Sequence, residues 1–334
     1  MKTKAAQILF AAGTICFGLW LLNRNGFFAL MSQRMEPEPT TATEEPGFTP
    51  EVRETEKPET QTPTVCSLTE TQAAAPQETE KPEAEGPLQE AQETIAERRQ
   101  APRVNNVSRQ TPDMERLFAE NWSIGLESGE KPQILIYHTH ATEAYRQDRN
   151  DPYEESDPAH TPDETKNMIR VGDELTATLE AAGLCVLHDR TMYDYPDYNG
   201  AYARSGKAVS EMLEENPSIR VVIDLHRNSL AGKRDDTAGA QFLLLLTTGD
   251  NGLYHPNWKE NLRLGLQLQS ELEADEPERT KPLYLCSARY NQQLSPGAFL
   301  LELGCDTDCL EEALESARRF GKSASKVLLR QITP

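Results

Sequence analysis

From about Asp113 onward, hydrophobic positions follow two spacings that alternate along the chain. Short, mostly apolar runs predict strands, whereas longer stretches with an apolar residue at every third or fourth position predict helices. The predicted strands are residues 134–137, 184–187, 220–225, 241–247, 283–286 and 298–303.

The predicted helices lie between these strands. One apolar stripe runs from Met168 to Ala182 and is followed by Gly183, a residue that suits the left-handed conformation at a helix C-terminus. Further stripes cover residues 202–213, 262–272 and 310–328. Strands that alternate with helices predict an α/β domain with a mostly parallel central sheet flanked by helices. In such a sheet, functional groups are expected just past the C-terminal ends of the strands.

The N-terminal segment is a predicted membrane anchor. Residues 5–22 carry no charge, follow Lys2 and Lys4, and are just long enough to cross a bilayer. A cleaved signal peptide is the competing interpretation, but no small-residue cleavage site follows the apolar stretch. We therefore expect a single-pass transmembrane helix at residues 5–22 after a short end at residues 1–4. Arg24 and Arg34 partly balance the two lysines, so the charges alone do not fix the orientation; the family resemblance described below implies that residues 1–4 are cytoplasmic and the rest of the chain is outside.

A polar stretch separates this anchor from the periodic region. Residues 35–102 contain ten of the 22 prolines, and residues 35–98 contain 16 Glu and no Asp. Such a composition buries too little apolar surface to offset the entropy of ordering the chain. We expect residues 23–112 to form a disordered, extended linker and residues 113–334 to fold as the catalytic domain.

Composition also bears on partners and redox chemistry. A net charge of −20, a sequence pI of about 4.8 and the lack of a basic patch in the sequence argue against nucleic acid as a partner. The six cysteines include no C-x-x-C pair that would indicate a zinc ribbon or a thioredoxin-type site. Cys305 and Cys309 are the one close pair. Outside the cytoplasm they either form a disulfide or stay as thiols at a strand-to-helix turn, and both interpretations remain open.

Polar side chains follow the first predicted strand. In ILIYHTHATEAY an apolar run leads into His138, His140 and Glu143, and the last two form an H-x-x-E pair. An imidazole and a carboxylate just past a strand supply nitrogen and oxygen donors, a combination that suits zinc. Taken alone, the same segment is equally typical of histidines that cap or hydrogen-bond the backbone.

Two further strands carry polar side chains. In VVIDLHRNS, Asp224 and His226 lie on the same face, because strand side chains repeat every two positions. We expect His226 to bind a metal and Asp224 to orient a ligand by accepting a hydrogen bond, although a lone strand histidine is more often structural. In AFLLELG, Glu302 interrupts an apolar strand, and a glutamate is rarely buried without a partner. Beside a cation-bound water it would act as a general base; the alternative is that it caps the following helix.

The remaining histidines are weaker candidates. His160 lies in an acidic loop, His188 ends a predicted strand, and His255 lies in a Tyr-His-Pro turn, so each is interpreted as solvated or structural. Glu164, at the start of a predicted helix, competes with Glu143 as the carboxylate ligand. The sequence leaves that choice partly open.

Together these segments resemble the stage II sporulation protein P family. The resemblance extends from about Gln133 to the C-terminus and rests on the order of IYHTHATEAY, NMIRVGDEL, DYPDYNGAYARS, NPSIRVVIDLHRNS and LLELGCDTDCLEEA. That combination is specific, whereas H-T-H alone would be a weak signal. The anchor and the linker also fit the layout of this family.

The resemblance implies a zinc-dependent N-acetylmuramoyl-L-alanine amidase that also cleaves peptide cross-links, with a fold similar to the zinc amidases of cell division. It implies that His140, Glu143 and His226 bind Zn²⁺ and that Glu302 is catalytic. In the amidases the carboxylate ligand would fall near Glu164, whereas the H-T-H-x-x-E motif of the sporulation family favours Glu143, which we choose. The resemblance also implies action in engulfment during sporulation, with stage II sporulation proteins D and M as partners.

We therefore expect a membrane-anchored, extracytoplasmic zinc hydrolase that cleaves peptidoglycan. Arg204 and Arg227 are candidates for binding a carboxylate of the peptide stem, although solvated surface arginines are the more ordinary interpretation. One alternative is a zinc carboxypeptidase that trims wall peptides. The other is a non-catalytic wall-binding module on a tether, which the candidate catalytic carboxylate disfavours.

Overall fold

The computed structural model describes residues 101–148, 159–229 and 240–333. The predicted anchor and nearly all of the predicted linker lie outside these residues. Within the described part of the chain, no helix is long and apolar enough to cross a membrane.

The described residues form nine strands and five α-helices. The strands are β1 (Val104–Asn106), β2 (Leu126–Glu127), β3 (Ile134–Tyr137), β4 (Val186–His188), β5 (Val221–Asn228), β6 (Phe242–Thr247), β7 (Leu283–Cys286), β8 (Gly297–Cys305) and β9 (Ile332–Thr333). The helices are α1 (Met114–Ala119), α2 (Met168–Ala181), α3 (Ala201–Glu215), α4 (Trp258–Asp275) and α5 (Leu310–Leu329). All six predicted strands and all four predicted helices are present; β3 and β7 have the predicted ends, and the other elements have shifted ends.

Seven strands form one sheet in the order β1-β7-β6-β8-β5-β3-β4. Five of the six neighbouring pairs are parallel, so the prediction of a mostly parallel sheet is confirmed. The exception is β6, which pairs antiparallel with β8. This pair divides the sheet into a first block (β8, β5, β3 and β4) and a second block (β6, β7 and β1) that run in opposite directions. The C-terminal ends of the two blocks therefore lie at opposite ends of the sheet.

Helices cover both faces of the sheet. On one face, α2, α4 and α5 pack against the strands of both blocks in the main core, which includes Leu175, Phe242 and Phe320. On the other face, Val209 of α3 packs with Leu135 and Val222 in a smaller cluster. Burying one such side chain stabilises the fold by roughly 1.5–3 kcal/mol, so the main core supplies most of the apolar stabilisation. The result is a three-layered α/β domain.

The start and end of α2 follow from its sequence. The Asn167 side chain accepts a hydrogen bond from the backbone N–H of Ile169, which caps the first turn. At the other end, Gly183 has a φ of 91° and its N–H donates to the carbonyl of Glu180, so the predicted glycine stop is confirmed.

The structure corrects the predicted end of the linker. Val104–Asn106, which we assigned to linker residues 23–112, form β1 and pair in parallel with β7. The folded part of the chain therefore includes residues that precede Asp113, the N-cap of α1. This strand escaped prediction because three residues, two of them asparagines, show no hydrophobic periodicity.

Candidate active site

The first block brings three predicted site segments to one end of the sheet. Strand β5 lies between β3 and β8, and all three run in the same direction. Tyr137 is paired with Asp224 in the strand register, and His226 is paired with Glu302. The polar residues that follow or end these strands therefore lie side by side, as the sequence pattern predicts.

His226 lies between two carboxylates. Its Nε2 is 2.8 Å from Asp224 Oδ1, at an angle outside hydrogen-bond geometry, and its Nδ1 is 3.4 Å from Glu143 Oε2. Burial alone would lower the pKa of His226, but the negative charges of Asp224 and Glu143 raise it well above its ordinary value. This field stabilises positive charge on the ring, and it would favour a bound divalent cation in the same way.

Glu143 is held ionised at this position. Burial would raise its pKa, but the contact with His226 and the positive charge of Arg227 lower it overall. The backbone N–H of Arg227 also donates to Glu143 Oε2 at 3.2 Å. The N–H of Met168, the first residue of α2, donates to the carbonyls of Ala141 and Glu143, which anchors the H-x-x-E loop against the helix.

His140 enters the site from the same loop. Its ring centroid is 5.5 Å from that of His226, and its Nδ1 is 3.8 Å from Asp194 Oδ2. The ring of Tyr198 stacks on it with a centroid separation of 4.4 Å and an interplanar angle of 11°. His140 Nδ1 is buried and makes no hydrogen bond with the described residues.

Glu302 is a buried carboxylate beside these groups. It is 1% exposed, and its Oε2 has no hydrogen-bond partner among the described residues. Burial raises its pKa to about 7, the negative charge of Glu143 adds to this, and the positive charge of His226 opposes it. A carboxyl group with a pKa close to neutrality can both accept and return a proton, as a general acid-base catalyst must.

These groups fit a zinc ion in donor chemistry. Two imidazoles and a carboxylate are a common zinc ligand set, and His140 Nδ1 and His226 Nε2 are buried without hydrogen bonds in the described part of the chain. As placed, no three His, Cys, Asp or Glu side chains among the described residues are gathered closely enough to form a metal cluster. The fit therefore rests on donor types, burial and charge.

Asp224 is fixed by residues that the sequence did not indicate. Its carboxylate accepts from the Thr139 backbone N–H at 2.9 Å and from Thr139 Oγ1 at 2.8 Å. Thr139 Oγ1 is also 2.9 Å from Ser205 Oγ on α3. These contacts orient Asp224 toward His226, as expected of a carboxylate that supports a ligand.

His138 has different contacts from His140, Glu143 and His226. Its Nδ1 contacts the carbonyl oxygen of Leu225 at 3.0 Å, and its Nε2 contacts His188 Nε2 at 2.9 Å. Burial lowers its pKa to about 3, so the ring is neutral. A side chain at Gly172 would collide with both imidazoles. His138 and His188 thus fasten β3 to its neighbours. This is the structural alternative that was considered for the H-T-H motif, and for His188 it is the structural interpretation.

Glu164, the rival of Glu143, has another partner. Its Oε2 is 2.6 Å from an Arg190 guanidinium nitrogen, and Arg190 also pairs with Asp173. The Glu164 side chain is 48% exposed. The structure therefore brings Glu143, and not Glu164, to His226.

The two candidate arginines bind backbone carbonyls. Arg227 is buried and donates to the carbonyls of Ala144 at 2.7 Å and Ala159 at 2.5 Å. Arg204 donates to carbonyl groups in the loop that precedes α3, among them that of Tyr193 at 2.7 Å. Both arginines stabilise loops beside the site, and these contacts occupy the donors expected for a peptide carboxylate.

Two loops contribute residues to the site that the sequence pattern did not indicate. Asp194 accepts from Thr142 Oγ1 at 2.6 Å and lies beside His140. His160, interpreted as solvated or structural, forms a backbone bridge with Glu143, and its Nδ1 is 3.1 Å from Thr142 Oγ1. The clustered acidic and aromatic residues of DYPDYNG were the available signal, but their distance along the chain from His140 concealed the contact.

Cys305 and Cys309 are both thiols in the structure. The Cys305 sulfur contacts Thr307 Oγ1 at 3.1 Å and Asp308 Oδ2 at 3.3 Å. The Cys309 side chain caps α5 in a reciprocal pair with Glu312. Of the two interpretations left open, the structure has the thiols at a strand-to-helix turn.

The sequence of the chain matches a known protein family. The model of the Stage II sporulation protein P family matches residues 36–323. Stage II sporulation protein P of Bacillus subtilis (strain 168) is 28% identical over 204 residues, which are 57% of this chain. The chain spans about half the length of that curated relative (49%).

Among solved structures, the N-acetylmuramoyl-L-alanine amidase AmiC2 of Nostoc punctiforme is 16% identical, with a TM-score of 0.37, and the match covers 61% of this chain and 97% of that one. The CwlD amidase of Clostridioides difficile, solved in complex with the GerS lipoprotein, is 12% identical, with a TM-score of 0.38 and coverage of 60% and 98%. No feature of the site is inferred from matches with TM-scores this low.

Proposed function

The chain belongs to the stage II sporulation protein P family, and from that premise we propose that it is a zinc hydrolase that cleaves peptidoglycan at the N-acetylmuramoyl-L-alanine amide bond. One observation carries the proposal. Glu302 is a buried carboxylate with an unbonded oxygen among the described residues, and it lies across the strand register from His226. A fold gains no stability from such a group, so we assign it to chemistry.

The metal ligands in this proposal are His140, Glu143 and His226. Zinc bound there would polarise the amide carbonyl and lower the pKa of an attacking water. Asp224, held by Thr139, keeps a negative charge 2.8 Å from His226 Nε2.

Glu302 moves the proton in this reaction. Its carboxylate takes a proton from the attacking water and returns it to the nitrogen of the departing L-alanine. Burial beside the site limits competing proton exchange with bulk water.

The proposal extends to the setting of the enzyme. The uncharged residues 5–22 would anchor the chain in the cell membrane, with the catalytic domain extracytoplasmic and tethered by the acidic linker. The family resemblance implies three further properties, which we add to the proposal. They are cleavage of peptide cross-links, a role in engulfment, and association with stage II sporulation proteins D and M.

Digestion of purified sacculi by the full chain tests the reaction. We expect zinc-dependent release of stem peptides with free L-alanine amino groups, detected by mass spectrometry of the new ends. Loss of only C-terminal residues from the stems would instead identify a carboxypeptidase. Intact walls after incubation with the folded, zinc-loaded chain would contradict both activities.

Glu302→Gln tests the assigned proton carrier. Turnover should fall by about 10² to 10⁴-fold, while bound zinc and thermal stability are retained, because the amide preserves size and removes only the proton-accepting charge. Glu271→Gln is the matched control: Glu271 is also buried, 5% exposed, but pairs with Arg330. Undiminished turnover in Glu302→Gln would remove Glu302 from the mechanism.

A further inference from the structure

Two exposed tyrosines lie on the loop between β4 and α3. This tyrosine loop, residues 191–200 (TMYDYPDYNG), carries Tyr195, which is 57% exposed, and Tyr198, which is 41% exposed. Exposed aromatic rings contribute little to folding, and their concentration on one loop is a feature of binding surfaces.

The backbone of the tyrosine loop is firmly held. Arg204 donates to the carbonyls of Tyr193, Asp197 and Asn199, the last two at 2.5 and 3.0 Å. Asp194 accepts from Thr142, which ties the loop to the H-x-x-E segment. The rings are therefore presented on an ordered support, an arrangement that lowers the entropic cost of binding a ligand.

The tyrosine loop adjoins the candidate metal ligands. Tyr198 stacks on His140, and Asp194 Oδ2 is 3.8 Å from His140 Nδ1. A substrate whose scissile bond lies at His140 would therefore pass beside the Tyr198 ring, and Tyr195 lies three residues before Tyr198 on the same loop. In peptidoglycan the scissile amide joins a lactyl group on a sugar to the peptide, so one side of the substrate at the site is glycan.

The charges around the loop favour the glycan side of the substrate over the peptide side. Within the loop Asp197 is exposed, whereas Asp194 is buried and accepts from Thr142. The two nearby arginines are engaged, because Arg190 pairs with Asp173 and Glu164 while Arg204 binds carbonyls. Stem peptides carry carboxylates, which the exposed carboxylate of Asp197 repels. The uncharged faces of sugar rings carry no such penalty.

We propose that Tyr195 and Tyr198 form a docking ledge for the glycan strand of peptidoglycan. The apolar faces of pyranose rings stack on the two tyrosines, while the stem peptide leaves on the other side of His140. The choice of a glycan strand as the ligand rests on the proposed function. It adds a binding site and a direction of substrate approach that the reaction alone does not specify.

Tyr195→Ala in the full chain tests the ledge. The probe is peptide-free glycan strands of alternating N-acetylglucosamine and N-acetylmuramic acid, with binding measured by equilibrium titration. The dissociation constant should rise about 5- to 10-fold, since covering one aromatic face removes a limited apolar area from water. Tyr195→Trp should retain binding, because a planar aromatic ring remains.

Tyr254→Ala is the matched control. Tyr254 is 77% exposed but follows β6, whose C-terminal end lies at the opposite end of the sheet. Glycan affinity should be unchanged in this variant. Zinc content and thermal unfolding measured on every variant exclude a general loss of structure.

The possible results distinguish a failure of the ledge proposal from a failure of the proposed reaction. If the wild-type chain digests walls but Tyr195→Ala binds glycan with unchanged affinity, the ledge is overturned and the proposed function stands. If Tyr195→Ala instead loses affinity for a sugar-free stem peptide, the ligand assignment is wrong. Glycan binding that depends on Tyr195 in a wild-type chain that leaves walls intact would support the ledge and overturn the proposed reaction.

Discussion

Two buried histidines at opposite ends of the sheet have opposite pKa shifts. His226, at the C-terminal end of the first block, is 4% exposed, and nearby carboxylates raise its pKa in spite of burial. His255, which follows the second block, is 6% exposed, and burial, reinforced by the positive charge of Arg289, lowers its pKa to about 4. Burial alone therefore does not make a cation site. The first block differs because separate elements bring Asp224 and Glu143 to one ring.

The loops beside these histidines show the same contrast. The tyrosine loop contacts His140 and is tied to the H-x-x-E segment through Asp194. The loop after β6 also offers a tyrosine and an aspartate, Tyr254 and Asp250. Asp250 Oδ2, however, accepts from the backbone N–H of Arg109 at 2.7 Å. Both nitrogens of His255 and Asp250 Oδ1 are also buried without hydrogen bonds among the described residues, so the difference lies in the two carboxylates that contact His226.

The comparison is tested most strongly by removing each histidine in turn. His226→Ala should reduce bound zinc from about one ion per chain to nearly none, because an incomplete set of protein ligands remains. His255→Ala should keep its zinc and its wall-digesting activity. The measurement is zinc per chain by elemental analysis after gel filtration. Equal zinc in the two variants would show that the carboxylates around His226 do not define the metal site.

A second, smaller effect is expected from the residue that orients Asp224. Thr139→Val preserves shape but removes the hydroxyl that donates to Asp224 Oδ2. Zinc affinity should fall about 10- to 100-fold, the range for losing a hydrogen bond that supports a metal ligand. The cost in stability should be about 1–3 kcal/mol, since a buried acceptor loses its donor.

Thr247→Val is the control from the second block. Thr247 is also fully buried, and its hydroxyl contacts the Arg289 carbonyl at 3.1 Å and Gln292 Oε1 at 3.0 Å. This variant should lose comparable stability with unchanged zinc affinity. A similar loss of zinc affinity in both variants would indicate a general loosening of the domain, and not an effect through Asp224.

Hydrophobic periodicity was sufficient to predict six of the nine strands and four of the five α-helices of the described residues, because each of these has several residues of one spacing. It missed β1, β2, β9 and α1, which are too short to show a period. It also placed Asp224 and His226 on one face, since side chains alternate along β5. The direction of β6 was not predictable in this way. An apolar run reads the same in a parallel or an antiparallel strand, and only the pairing with β8 shows the reversal.

The site was predictable only where its residues follow strands. His140 and His138 have similar sequence surroundings, but they separate in space because His138 contacts His188 and the Leu225 carbonyl. Asp194 reaches Thr142 from 52 residues away, a contact that depends on the packing of α3 and its loop. Such contacts arise from tertiary structure, so they cannot be predicted from the spacing of residues along the chain.

The last expected effect leaves zinc binding untouched and concerns the pH dependence of stability at the second block. The pKa of His255 is about 4 in the folded chain and about 6.5 in an unfolded one. Above pH 6.5 the ring is neutral in both states. Between pH 6.5 and 4 the unfolded chain takes up a proton that the folded chain does not, so the free energy of unfolding decreases as the pH falls.

His255→Gln should abolish this contribution, which amounts to roughly 2–3 kcal/mol between pH 7 and pH 4. The measurement is urea unfolding of both zinc-free chains across that range, compared as a difference so that the other titrating groups cancel. Wild type should lose more stability than the variant as the pH falls. Parallel curves would mean that the His255 ring has access to water or to a partner in the folded chain. In that case His255 would no longer show what burial does to a histidine without neighbouring carboxylates, and the comparison with His226 would lose its reference.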